Sequence, residues 1–175
     1  MKKLVTLGPS GTSSDYVAKE YFKKSHLAEI DITLFNTFED AAKEVLNEKA
    51  DLLLVPHAYK NVNKFYMHPS LQLENIFIYE TPMYGIATKI DNKNSIYKNL
   101  ISHEAPIPMI KHFLINDVEI ELANSTSIAA EMVANGSFEF CITNEMACQK
   151  HGLKFVKIFQ PINMSWSIFI KRKDN

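Results

Sequence analysis

Three segments place small hydroxyl and amide side chains where a strand is expected to hand over to a helix. They are Gly11-Thr12-Ser13-Ser14, Asn124-Ser125-Thr126-Ser127 and Thr143-Asn144-Glu145. Free N–H groups at a helix start, together with the positive end of the helix dipole, make such turns receptors for anions. The same residue types are the preferred N-caps, so capping alone accounts for any one of them. Together they carry more weight, because Arg172 is the one arginine among 19 Lys+Arg. No internal guanidinium fork is available to grip a carboxylate bidentately. Recognition of an anion falls to backbone N–H groups, hydroxyls, Lys or His, and at least two of the turns are expected to face a shared anionic ligand.

The elements that must position these turns follow from hydrophobic periodicity. Lys3–Leu7 reads as a strand, followed by a helix from about Asp15 with Val17, Ala18, Tyr21 and Phe22 on one face. Ile32–Phe35 is a second strand, and Thr37-Phe38-Glu39-Asp40 resembles a capping box opening a helix. Leu52–Val55, a continuous apolar run closed by Pro56, suits a buried parallel strand. Residues 57–75 read as irregular, and Ile76–Thr88 as two strands around Pro82. The alternation then repeats: strands at Leu100–Ser102, Val118–Leu122 and Phe138–Thr143, and helices carrying Ile107, Ile110, Phe113 and Leu114, then Ile128, Ala129, Met132 and Val133. Asn144–Lys150 is a short helix, and Phe155–Phe159 and Trp166–Ile170 are closing strands. The expected class is α/β with mainly parallel sheets.

Composition excludes several functions. At 175 residues and 46% hydrophobic, the chain can bury a real core as one domain or two small lobes. A net charge of −1, with no basic block beyond Lys171-Arg172-Lys173, argues against a nucleic-acid surface. No apolar run approaches the ~18–20 residues of a membrane span, and Met1-Lys2-Lys3 leads directly into a strand rather than a signal sequence. Cys141 and Cys148 lack metal or redox spacing and read as buried free thiols. The expected setting is the cytoplasm. His26, His68, His112 and His151 have no ligand-spaced partner and read as structural or exposed.

Motifs spread along the chain resemble the prephenate dehydratase family. Leu7-Gly8-Pro9-Ser10-Gly11-Thr12-Ser13-Ser14 is similar to that family's Gly-Pro-Glu-Gly-Thr-Phe-Ser entry. Val55-Pro56, Ser102-His103, Ser125-Thr126 and Thr143-Asn144-Glu145 follow in the family's order, so the resemblance covers Leu4 to about Lys171. Two places depart from it. Pro56-His57-Ala58-Tyr59-Lys60 stands where dehydratases carry Pro-Ile-Glu-Asn-Ser, and Ser165-Trp166-Ser167 replaces their Thr-Arg-Phe. With Phe65-Tyr66-Met67, Thr81-Pro82-Met83-Tyr84-Gly85 and Gln149-Lys150, these departures resemble the divergent, decarboxylating bacilysin-pathway branch of the family.

The resemblance implies a two-lobed fold like type 2 periplasmic binding proteins, with 1–80 plus 158–175 as one lobe, 81–157 as the other, and the active site between them. It implies action on prephenate as a small-molecule substrate, without metal or organic cofactor, and leaves a homodimer open. No C-terminal ACT module is expected, since the chain ends at Asn175. The implied reaction is non-aromatising decarboxylation with the ring hydroxyl retained, an early step of bacilysin-type antibiotic synthesis. Dehydration to phenylpyruvate and non-catalytic prephenate sensing are the alternatives.

His57, Tyr59 and Ser165 are the implied catalytic groups. His and Tyr can donate a proton or orient a hydroxyl. Thr12, Ser13, Ser14, Tyr84, Ser102, His103, Asn124, Ser125, Thr126, Met164 and Trp166 are the implied substrate contacts. Replacing Arg-Phe by Trp166-Ser167 removes a cation and supplies a flat apolar wall, so Trp166 is expected to face the cyclohexadiene ring.

Overall fold

The computed structural model describes residues 1–24, 30–94, 96, 98–111 and 118–173 of the chain. His26, His112, Phe113 and Leu114 lie outside them. The chain divides into two compact units. The first comprises Met1–Pro9, Ser13–Thr81 and Ile162–Asn175; the second comprises Ser10–Thr12 and Pro82–Pro161.

Unit 1 holds β1 (Lys2–Leu7), α1 (Ser13–Lys24), β2 (Ile30–Phe35), α2 (Phe38–Leu46), β3 (Leu52–Pro56), α3 (Asn63–Tyr66), β4 (Leu71–Glu80) and β10 (Asn163–Lys171). Its sheet has the order β2-β1-β3-β10-β4. The period-2 pleat sends alternate residues to opposite faces. Leu4, Leu52 and Leu54 pack with Val17, Ala18 and Phe22 of α1 on one face. Val5, Leu53 and Val55 pack with Phe38, Ala41 and Val45 of α2 on the other. The N-cap half of the box expected at α2 is formed: the Thr37 hydroxyl accepts from the Asp40 N–H at 3.0 Å and donates to its carboxylate at 2.8 Å.

Unit 2 holds β5 (Tyr84–Lys89), β6 (Asn99–Ser102), α4 (Ile107–Lys111), β7 (Glu119–Leu122), α5 (Thr126–Ala134), β8 (Phe140–Asn144), α6 (Glu145–Lys150) and β9 (Leu153–Phe159). Its sheet runs β7-β6-β8-β5-β9. Small side chains let α5 lie close to that sheet, with Ala129, Ala130 and Val133 against Ala87, Ile101 and Cys141. Cys141 and Cys148 are buried free thiols; burial raises both, Cys148 to about 11, so neither is a ready nucleophile.

The class is α/β, but the sheets are mixed rather than mainly parallel. β1 pairs parallel with β2 and β3, and β6 with β7 and β8. β10 runs antiparallel between β3 and β4, and β5 antiparallel between β8 and β9. A strand buried on both faces is an apolar run in either direction, so its composition does not encode orientation. The expected irregular stretch 57–75 also contains α3 and the start of β4. β4 is an edge strand whose residues 72–76 are all exposed, which erases the alternation that would have announced it.

Candidate active site

A cluster of imidazole and hydroxyl groups forms in unit 1 where β3 ends. Pro56 closes the apolar run Leu52–Val55 and pairs with Trp166 of β10. The next residue stays attached to that strand, because the His57 N–H donates to the Ser165 carbonyl at 3.0 Å. A turn closed by the Tyr59 N–H on the Pro56 carbonyl (3.1 Å) leads into α3, whose last residue, Tyr66, comes back to His57. Ser165 and Ser167, two apart on β10, point to the same face by the pleat. His57 is thus surrounded: Nδ1 lies 2.7 Å from Ser165 Oγ, while Nε2 lies 2.5 Å from Ser167 Oγ and 2.8 Å from the Tyr66 hydroxyl. The Tyr66 hydroxyl and Ser167 Oγ are themselves 2.5 Å apart. Ser167 is fully buried, whereas His57, Tyr66 and Ser165 are half-buried. Among the described residues every side-chain partner of His57 is a hydroxyl, a set suited to holding and moving a proton.

Tyr59 does not join this cluster. Its hydroxyl donates to the Glu39 carboxylate, 2.8 and 3.0 Å from the two oxygens, and accepts from Asn61 at 3.4 Å. Its ring lies against Phe38 and Phe65. Burial works against ionised Glu39, but Tyr59, a backbone N–H and Lys64 outweigh it and hold the carboxyl below its ordinary value. Burial, partly offset by Asn61 and reinforced by Glu39, raises the Tyr59 phenol. Tyr59 therefore braces the α2 start and sits apart from His57 as a proton donor.

Trp166 is also placed differently from expectation. It is 0% exposed, on the opposite face of β10 from the two serines, packed with Val17, Ala18, Leu54 and Ile168. Its indole N–H donates to the Tyr79 carbonyl at 3.2 Å. The flat wall is a core side chain. The pleat enforces this: one residue between two serines that face a site must face away from it. Met164 lies on the same core side as Trp166 and is half-buried there.

In unit 2 the predicted contacts gather at one sheet edge, where parallel β6 and β8 end and antiparallel β5 begins. Tyr84 is buried and stands opposite Asn144 in the β5–β8 pairing. The buried Ser102 hydroxyl donates to the His103 carbonyl at 2.7 Å, and His103 Nδ1 accepts from the Ala105 N–H at 3.2 Å. Ser125 is the N-cap of α5, accepting from the Ile128 N–H at 3.1 Å. Asn144 caps α6 through the Ala147 N–H at 2.9 Å and reaches Thr126 Oγ1 at 3.4 Å. The capping role of two of the three turns is thus formed.

Ser10–Thr12 belongs to this unit, with the Ser10 carbonyl accepting from Lys150 Nζ at 2.8 Å and Ser127 Oγ at 3.2 Å. Gly11 has φ +97°, a conformation side chains rarely adopt, and a Cβ there would stand 3.4 Å from Ser127 Oγ. Thr12 is buried in unit 2; Ser14, buried, and Ser13, half-buried, open α1 in unit 1. Asn124 is exposed just before the α5 cap.

Tyr66 and Ser167 escaped sequence reasoning as site residues. Ser167 carried a signal, its i+2 spacing from Ser165 on a strand. Tyr66 stood out only as part of Phe65-Tyr66-Met67, and nothing local joins it to Ser167, a contact that spans 101 positions.

Comparison with known proteins places this geometry in context. The prephenate dehydratase family model matches residues 4–160. A Bacillus amyloliquefaciens protein named prephenate decarboxylase is 44% identical over 173 residues, covering 95% of this chain and 85% of its own. Among solved structures, the Arthrobacter aurescens prephenate dehydratase in complex with L-Phe superposes with a TM-score of 0.76 at 12% identity. The match covers 98% of this chain and 61% of that one, so the chain spans about three fifths of the dehydratase's length. The periplasmic VFT2 domain of Bordetella pertussis BvgS gives 0.59 at 14% identity, over 97% of this chain and 80% of that one. These structural likenesses establish the fold alone.

Proposed function

The chain belongs to the prephenate dehydratase family, and we propose that it catalyses the non-aromatising decarboxylation of prephenate to a dihydro-4-hydroxyphenylpyruvate. The observation that carries this reading is the near-full-length match to a relative named for decarboxylation rather than dehydration. The hydroxyl–imidazole cluster around His57 supplies a proton donor, which this reading needs. A dehydratase must expel the ring hydroxyl along with CO2, and the leaving oxygen needs an acid. Decarboxylation with retention needs a proton at carbon instead. The ring carboxylate departs as CO2, the electron pair of the broken bond enters the ring diene, and one proton adds to a ring carbon while the hydroxyl stays.

His57 and Ser165 are the groups assigned to that proton. Ser165 is half-buried and hydrogen-bonded to His57, so a proton leaving its hydroxyl can be replaced from Nδ1. Thr12, Ser125 and Thr126 remain assigned to recognition of the substrate's carboxylates, in a chain whose one arginine, Arg172, reaches the Leu71 carbonyl at 3.4 Å. No described helix is long and apolar enough to cross a membrane, and the reading places the enzyme in the cytoplasm, in bacilysin-type biosynthesis.

The test is incubation of the purified protein with prephenate, without added metal, and product identification by NMR. A dihydro-4-hydroxyphenylpyruvate plus CO2 is expected. Phenylpyruvate as the main product overturns the reading in favour of dehydration. Tight binding without turnover overturns it in favour of a sensor.

A further inference from the structure

Near its end, β4 reads Ile76-Phe77-Ile78-Tyr79, four apolar side chains in succession. Such a run suits a strand covered on both faces. One face is covered: Phe77 stacks on Tyr21 with ring centroids 3.6 Å apart, and Tyr79 lies against Tyr16 at 6.5 Å. On the other face Leu71 is buried with Phe65 of α3, but Ile76 is 48% and Ile78 73% exposed. A lone exposed isoleucine is ordinary. Two of them, two apart on one face of an edge strand, make an apolar patch.

That patch adjoins the His57 cluster. In the antiparallel pairing of β4 with β10, Ile76 stands opposite Ser167 and Ile78 opposite Ser165. Directly paired residues share a face of the sheet, with Cβ atoms about 4.5–5.5 Å apart. Ser165 is therefore bounded by His57 on the β3 side, where Nδ1 lies 2.7 Å from Oγ, and by Ile78 on the β4 side. Beyond His57, the Ser167 Oγ and the Tyr66 hydroxyl close the cluster, 2.5 Å from each other. A ring carbon that takes a proton from Ser165 must come within about 3–3.5 Å of its Oγ. With His57, Ser167 and Tyr66 filling one flank, the body of the ring lies over the other, where a six-membered ring meets Ile78.

We infer that Ile78, with Ile76 beside it, is the apolar wall on which the substrate's cyclohexadiene ring rests while Ser165 reaches it, the part the sequence assigned to Trp166. This deepens the decarboxylase reading and rests on it for the identity of the ring and for Ser165 as the proton donor. A saturated wall suits a reaction that keeps the ring hydroxyl, because a group facing Ile78 meets no acid to help it leave. A second copy of the chain is a poorer cover for the patch. Two β4 strands paired antiparallel about Phe77 would set Ile76 against Ile78, but also Glu74 against Glu80 at both ends. Like charges directly opposite are destabilising.

The test has a binding arm and a kinetic arm. Prephenate is titrated into Ser165→Ala protein carrying ¹³C-labelled isoleucine δ1 methyls, and KM and kcat are measured for Ile78→Ala in an otherwise wild-type chain. Ile90, 67% exposed just past the end of β5 that lies away from Tyr84, is the control. The Ile78 methyl is expected to shift saturably with prephenate while that of Ile90 stays in place. Ile78→Ala should raise KM about tenfold or more, as for apolar truncation in a substrate pocket. Its kcat and thermal midpoint should stay near wild type, since a contact made equally in ground and transition states acts on KM. Ile90→Ala should change none of the three. An Ile78 methyl unmoved at saturating prephenate overturns the inference, as does a wild-type KM in Ile78→Ala. So does a wild-type dimer that Ile78→Asp splits into monomers in sedimentation, because a second copy then covers the patch. Phenylpyruvate, or no product, from wild type defeats the decarboxylase reading instead, and the methyl shifts still decide whether Ile78 meets the ring.

Discussion

His57 and Ser165 are joined twice, the backbone N–H of one donating to the carbonyl of the other at 3.0 Å while Nδ1 and Oγ meet at 2.7 Å. The backbone bond fixes the separation of the two Cα atoms, so the side-chain bond is held without a long flexible linker. If this pair delivers the proton, the two residues act as a unit and their losses do not add. His57→Ala and Ser165→Ala are each expected to lower kcat by about 10²–10⁴-fold. The double variant should fall little below the worse single variant. Steady-state kinetics with product NMR check this; full additivity would separate the two residues into independent roles.

The hydroxyls at the helix starts make a separable prediction. Ser125 accepts from the Ile128 N–H, so Ser125→Ala should cost about 0.5–2 kcal/mol of stability as a lost cap. A hydroxyl that also donates to a substrate carboxylate contributes roughly 1.5–3 kcal/mol, or about ten- to a hundredfold in affinity. Ser125→Ala and Thr12→Ala are each expected to weaken prephenate binding by that factor in calorimetry. Wild-type affinity in both folded variants would leave Ser125 a cap only and Thr12 outside the binding site.

Much of this molecule was legible in its sequence because local rules dominate its helices and parallel strands. Thr37 and Asp40 announced the start of α2, and the apolar run Leu52–Val55 announced β3. What was not legible depends on long-range pairing. The antiparallel course of β10 is set by its neighbours β3 and β4 and not by its composition. The same pairing decides the site. It brings Ser165 and Ser167 to His57 and turns Trp166 into the core, and no feature of the segment His57–Tyr59 says which of its side chains will meet that strand. Tyr59 and His57 looked equivalent; the turn after Pro56 sent one to Glu39 and the other to the serines.

Tyr59 is therefore predicted to matter for stability and not for turnover. The Glu39 carboxyl is held below its ordinary value in the folded protein, with burial opposing and Tyr59 the first of the groups that outweigh it. A depressed carboxyl stabilises the fold above the pH where the unfolded group titrates, and that contribution is lost as pH falls through the folded value. Tyr59→Phe should be slightly less stable than wild type at neutral pH, and the gap should close as pH falls through the carboxylate range. Denaturant midpoints at about pH 7 and about pH 3, on either side of that range, together with an unchanged kcat, are the expected outcome. A product shift toward phenylpyruvate would restore Tyr59 to the chemistry.

Trp166 provides the sharpest contrast between the wall expected from sequence and the core residue found. It is the one tryptophan in the chain and is 0% exposed, so fluorescence excited at wavelengths the tyrosines do not absorb reports on it alone. Its emission should be blue-shifted, resistant to iodide quenching and unchanged when prephenate is added. Trp166→Phe removes the N–H donated to the Tyr79 carbonyl and part of the ring volume, which should lower stability by about 1–3 kcal/mol. KM for prephenate should remain at the wild-type value in the folded protein, since the indole is buried in one core cluster with Val17, Ala18 and Leu54. Trp166→Ala should cost about 3–5 kcal/mol, as for other large aromatic truncations in a core. Saturable quenching of Trp166 by prephenate, or a raised KM at unchanged stability in Trp166→Phe, would return the indole to the substrate site.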